Sequence, residues 1–328
     1  MQEIWLSDKK CKMENFFFLI VGLIVLVIGA ESLVKGASNI AIGLKISPLV
    51  VGLTIVAFGT SAPELFVSIK SALEGHPDLA FGNIIGSNMC NIALVLGVTA
   101  MIFPVGVNKD IINFNWPVAF LSVVLLYVLT LDHNVDRIDG VIFVIMLIVY
   151  NFLTIKMSRK ALKKEQEESG ETYNPEFNDI VKSALFIIVG CVALVFGAEW
   201  LVNSAKNIAS DFGVSDRLIA VTIVAIGTSL PELATSIVAA IRKNSEMGLG
   251  NLIGSNIFNV LSILGITGMI QPIHVDEMFS NYDLFWVIGV TALLYPLMKS
   301  RGRINRLEGV LLLLIYVAYI VSITILKS

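Results

Sequence analysis

Apolar residues run along this chain in blocks long enough to cross a bilayer, separated by short polar stretches. A hydrocarbon core about 30 Å thick takes about 20 mostly apolar residues per helix. That ruler predicts ten spans, at 16–39, 46–70, 79–103, 115–131, 137–156, 182–207, 216–241, 247–271, 280–298 and 307–326. The expected fold is therefore an all-α polytopic membrane protein. Residues 1–15 read as a polar leader, with Met13 as an alternative start, 16–156 as a first block of five spans, 157–181 as a linker and 182–328 as a second block. The first span continues through Glu31 and Lys35 with no small-residue cleavage site, so it does not read as a signal peptide.

Composition agrees with the pattern. Of 328 residues 56% are hydrophobic and 15% charged, against roughly 25% charged in soluble domains. A net charge of −3 without a basic block leaves no footprint for nucleic acid. Cys11, Cys90 and Cys191 are too scattered for a disulfide framework or a thiolate metal site. His76, His133 and His274 fall between the apolar runs, so chemistry inside the membrane must rest on carboxylates, amides and hydroxyls. No cofactor motif and no obligate protein partner is evident, and the surroundings are the lipid bilayer of a cell membrane. Basic residues accumulate on the cytoplasmic side, and 15 of the 23 Lys and Arg lie on the side that holds the linker and the Lys299, Arg301, Arg303, Arg306 group. Both termini are expected outside and 157–181 in the cytoplasm. That linker mixes lysines with glutamates but lacks the Asp/Asn alternation and central Gly of an EF-hand, and reads as a solvated segment that extends the fifth helix.

The chain also repeats itself. Gly-Ala-Glu31 recurs as Gly-Ala-Glu199, TIVAFGTSAPE (54–64) as TIVAIGTSLPE (222–232), and GNIIGSNMCN (82–91) as GNLIGSNIFN (250–259), all 168 residues apart. Without a gap, 39 of the 83 positions from Gly22 to Pro104 match. An odd number of spans in each copy makes the second enter from the opposite side, which predicts two inverted five-helix repeats. This is the plan of many secondary transporters, whose sites lie between the repeats near the midplane.

Four acidic residues lie well inside the spans, more than four residues from either end: Glu31, Glu64, Glu199 and Glu232. A carboxylate at depth costs on the order of 3 kcal/mol to insert, so each needs a reason to be there. Thr60 and Ser61 precede Glu64 by four and three residues, as Thr228 and Ser229 precede Glu232, a spacing that stacks the hydroxyls on the carboxylate's helical face. Pro63 and Pro231 cannot donate to the carbonyls of Gly59 and Gly227, which predicts two oxygen-rich kinks. Asn83, Ser87 and Asn91, and again Asn251, Ser255 and Asn259, form polar stripes at intervals of four, with Gly82, Gly86, Gly250 and Gly254 allowing close helix approach. Two carboxylates with hydroxyls, amide oxygens and carbonyls suit a hard cation: calcium or sodium, with magnesium ranked lower for its reluctance to dehydrate. Glu31, which can pair with Lys35 one turn on, and Glu199 fit a structural or gating role better than coordination. Cys90 and Phe258 read as packing residues.

At these residues the sequence resembles the calcium/cation antiporter superfamily, and closely its prokaryotic sodium/calcium exchanger branch. The resemblance rests on GTSAPE with GNIIGSNMCN and GTSLPE with GNLIGSNIFN and spans the transmembrane part. It implies ten helices in two inverted halves, with the first and sixth sliding across the rest. It also implies a cation site from Ala57, Thr60, Ser61, Glu64, Ser87 and Asn91 and from Ala225, Thr228, Ser229, Glu232, Ser255 and Asn259. In it the alanines offer carbonyl oxygen to sodium, and Glu64 and Glu232 serve both ions. Several relatives have Asp where this chain has Asn259, and the neutral amide implies potassium-independent exchange. The linker is too short for the large regulatory domain of animal exchangers.

Charge balance supplies a mechanism. One Ca²⁺ or two Na⁺ neutralise two glutamates, while the empty charged site is costly to carry across. Protons should compete for the same carboxylates. The alternatives are a proton/calcium exchanger and a cation channel, which would pass calcium without a counter-ion; an enzyme has no nucleophile–base pair or phosphate loop to support it.

Overall fold

A computed structural model describes residues 2–169, 177–212 and 225–326. The described residues are almost wholly helical, as a backbone in lipid must be to satisfy its own polar groups. In order, α1 is Gln2–Leu44, α2 Pro48–Thr60 and α3 Ala62–Leu73. Then α4 runs from Pro77–Met89 through a π-helical turn at Cys90–Val95 into Leu96–Ile102. In α5 the π-helical Ile111–Asn115 leads into Trp116–Leu129, and α6 is Arg137–Ser169. The second half has α7, Phe177–Asp211, a short helical turn at Ala225–Gly227, and α8, Leu230–Ile241. Next, α9 joins Ser245–Phe258, a π turn at Asn259–Leu264 and Gly265–Ile270. Finally α10 joins the π-helical Phe279–Asp283 to Leu284–Arg301, and α11 is Arg306–Leu326.

Among the described residues seven helices are long and apolar enough to cross a membrane, and an eighth span results if α2 and α3, bent by 44° at Ser61, count as one. The expected span 216–241 begins outside the described residues, and its remainder is α8. The leader is continuous with the first span, since α1 is already helical at Gln2. The linker is entered by α6 and left by α7, and its residues 170–176 lie outside the described part.

The duplication reappears in the packing. On α1, a Cβ on Gly22 would stand 2.9 Å from the Gly197 carbonyl of α7, and one on Gly197 would stand 3.0 Å from the Gly22 carbonyl. Gly29 and Gly190 repeat the arrangement at 3.0 and 2.9 Å. Only a missing side chain lets two backbones come so close. The outer faces of this pair stay apolar and exposed, with Leu23, Ile24 and Val27 on α1 and Leu185, Ile188 and Val189 on α7. Two-residue antiparallel ladders tie the halves at their ends: β1 (Val105–Gly106) pairs with β4 (Arg303–Ile304), and β2 (Asn134–Val135) with β3 (Ile273–His274). The main core gathers α4, α9 and the helices around them, including Met89, Leu96, Ile257 and Leu261. A second apolar cluster, with Leu33, Val51, Leu194 and Val238, lies beneath the α1/α7 pair.

Candidate cation site

The bend at Ser61 (φ −85°, ψ 6°) gives α3 a fresh start with Pro63 in its first turn, where no amide hydrogen is needed, and carries Glu64 inward. The same sequence logic starts α8 at Leu230 after Ser229 (φ −91°, ψ 7°), with Pro231 and Glu232 in its first turn. The carboxylates of Glu64 and Glu232 are both fully buried, and close enough to act on each other electrostatically. Glycine sets how closely α9 approaches α2: a Cβ on Gly254 would meet the Leu53 carbonyl at 2.6 Å, and one on Gly250 the Leu49 carbonyl at 2.7 Å.

The hydroxyls do not serve the carboxylate of their own helix. Ser61 donates to Glu232 Oε1 at 3.2 Å, and Ser255 donates to the same oxygen at 3.4 Å. Thr60 donates to Asn251 Oδ1 at 3.1 Å and lies 3.5 Å from Ser255 Oγ, while Ser87 and Thr228 face each other at 3.5 Å. The expected stacking on one helical face assumed a straight helix between Thr60 and Glu64, and the 44° bend removes that premise. The first half thus lends the Ser61 hydroxyl to the carboxylate of the second. Glu232 Oε2 and both oxygens of Glu64 accept no hydrogen bond, although Ser87 stands beside Glu64. Ser229 Oγ is likewise buried without a partner.

The amides come from α4 and α9. Asn91 donates to Asn256 Oδ1 at 3.2 Å and Asn259 to Asn88 Oδ1 at 2.9 Å, leaving the oxygens of Asn91 and Asn259 buried and unpartnered. Asn83 donates to Ser68 at 3.2 Å and braces α3 against α4. The Ala57 carbonyl accepts from the Ser61 amide at 3.0 Å and from the Thr60 hydroxyl at 3.4 Å. Ala225 opens the helical turn Ala225–Gly227. Asn91 and Asn259 both sit at the π turns of their helices, where an inserted residue locally turns the side chains.

Two residues outside the site behave differently from expectation. Glu31 pairs with Arg242 Nη2 at 2.7 Å and not with Lys35, whose ammonium lies 4.9 Å from the centre of the Phe186 ring. Helix α8 ends against α1, and that tertiary contact outcompetes the local one. Cys90 packs in the main core, and Phe258 meets Phe58 edge-on at 6.1 Å. Asn88 and Asn256 escaped the sequence reading; their signal was identity across the repeat directly beside Ser87 and Ser255.

A sequence profile described as "Sodium/calcium exchanger protein" matches residues 14–156 and 182–325, nearly the whole chain and both halves. The chain belongs to the sodium/calcium exchanger family. This is a family of membrane transporters, antiporters rather than enzymes. Within it, CaxA of Alkalimonas amylolytica, named as an antiporter, is 38% identical over 92% of this chain and 96% of its own length. The sodium/calcium exchanger MaX1 of Methanosarcina acetivorans is 32% identical over 94% of this chain and 97% of its own. Among solved structures the sodium-calcium exchanger NCX_Mj aligns with a TM-score of 0.80 at 34% identity, over 95% of this chain and 99% of that one. The family fold is thus the fold of this exchanger.

Proposed function

We propose that this protein exchanges sodium for calcium by alternating access, in a site shared between ten helices arranged as two inverted five-helix repeats. The observation that carries this reading is the complete burial of Glu64 and Glu232, with three of their four carboxylate oxygens accepting no hydrogen bond. A buried, unpaired carboxylate is costly, by several kcal/mol or more after relaxation. A pair of them calls for positive charge, and an all-oxygen surrounding selects hard cations. One calcium or two sodium ions balance the pair, so either load neutralises the site and lets it occlude. Thr60, Ser61, Thr228, Ser229, Ser87 and Ser255 supply hydroxyl oxygens, Asn91 and Asn259 amide oxygens, and Ala57 and Ala225 carbonyls. The glycine-mated α1/α7 pair, lying on its own apolar cluster, is the element that moves across the rest.

Sodium is favoured as the driving ion because MaX1 and NCX_Mj are named for sodium/calcium exchange. The neutral Asn91 and Asn259 leave two charges at the centre, which suits potassium-independent exchange. The basic side of the chain sets both termini outside a cell membrane and 157–181 in the cytoplasm. Proteoliposomes test the coupling: calcium uptake driven by internal sodium without a proton gradient supports the proposal. Uptake that needs a proton gradient and ignores sodium makes the protein a proton/calcium exchanger, and uptake with neither makes it a channel.

A further inference from the structure

Asn88 and Asn256, 168 residues apart, are each fully or almost fully buried and face each other across the repeat boundary. Asn256 Nδ2 donates to the backbone carbonyl of Asn88 at 3.2 Å, and Asn88 Nδ2 to the carbonyl of Asn256 at 3.5 Å. A backbone carbonyl can only accept, so both side-chain nitrogens are fixed and both side-chain oxygens must point away. Those oxygens can only be met by donors, which are Asn91 Nδ2 and Asn259 Nδ2. One N–H of Asn91 and one of Asn259 are thereby engaged, which fixes which way each amide is turned, and their oxygens are left buried with no partner. An amide turned the other way would present N–H groups to a cation and repel it.

We propose that Asn88 and Asn256 are positioning residues that hold the amides of Asn259 and Asn91 with their oxygens toward the transported cation. The orientation starts from two main-chain carbonyls and is relayed through two amides, so it persists whichever ion is loaded. The proposal rests on the exchange reading for the identity of the cation.

A double-mutant cycle distinguishes orientation from mere packing. An aspartate has oxygen at both ends and needs no orienting, so Asn259→Asp removes the dependence on Asn88. Calcium affinity of the purified protein is read directly by ⁴⁵Ca²⁺ scintillation proximity. Asn88→Ala is expected to raise the calcium Kd roughly tenfold in the native background and less than about twofold in the Asn259→Asp background. An equal shift in both backgrounds overturns the proposal. If Asn88→Ala does not accumulate as folded protein, Asn256→Ala combined with Asn91→Asp asks the same question with the same two outcomes. Sodium-driven uptake by the unsubstituted protein separates the two readings. Protein that binds calcium but exchanges none for sodium overturns the exchange reading and leaves the cycle to decide the positioning role; protein that binds no calcium overturns both.

Discussion

Ser61 lies three residues before Glu64, yet its hydroxyl donates to Glu232, from the other repeat, at 3.2 Å. The site is therefore a joint product of the two halves. A carboxylate from one copy is held by a hydroxyl from the other, and neither half can form it alone.

Removing that hydroxyl should act through Glu232. A hydrogen bond to a charged group is worth about 1.5–3 kcal/mol, so Ser61→Ala should alter the apparent calcium affinity by roughly tenfold or more. Saturation curves for calcium uptake check this, and an unchanged KM would show that the contact does not bear on the cation.

On the proposed mechanism protons and cations compete for the same oxygens. Protonating Glu64 or Glu232 removes a negative charge, so acid pH should raise the calcium KM while saturating calcium restores the rate. Uptake curves at several pH values test this, and a KM flat with pH speaks against ionised glutamates as ligands.

The Glu31–Arg242 pair links α1 to the end of α8, but both side chains are more than half exposed, at 51% and 60%. Exposed pairs contribute about 0–1 kcal/mol. Arg242→Gln should therefore shift the exchange rate by less than about fivefold, with little change in melting temperature, and adding Glu31→Gln should cost nothing more. A larger loss in a flux assay would assign this pair a role beyond that of a surface tether.

Gly254 is expected to be intolerant. A methyl group there meets a main-chain oxygen at 2.6 Å, and overpacking a tight contact costs about 1–3 kcal/mol. Gly254→Ala should lower the melting temperature in detergent; a melting curve superimposable on that of the native protein would mean that α2 and α9 can separate freely.

Much of this was legible along the chain because it is carried by local pattern. Glu64 and Glu232 were visible as costly charges inside apolar runs, and the 168-residue repeat tied the GTS and GSN segments to them. What local pattern could not carry was partnership. Spacing put Ser61 with Glu64 and Glu31 with Lys35, because the i, i+3 and i, i+4 rules presume a straight helix and no competing neighbour. The bend at Ser61 and the approach of α8 to α1 defeat those premises. The π turns at Cys90–Val95 and Asn259–Leu264 have no hydropathy signature, since an inserted residue in a mostly apolar run leaves its length and mean hydropathy almost unchanged. Asn88 and Asn256 were hidden for a related reason, since their partners are each other across the repeat boundary.

On the proposed mechanism Glu64 and Glu232 together bind the exchanged cations. ⁴⁵Ca²⁺ uptake into proteoliposomes with internal sodium varied, comparing the native protein with Glu64→Gln and Glu232→Gln, tests this. Uptake should rise with internal sodium in the native protein and fall to background in both variants, with each variant still folded by its melting curve. Sodium-dependent exchange at the native rate in either variant would contradict the account.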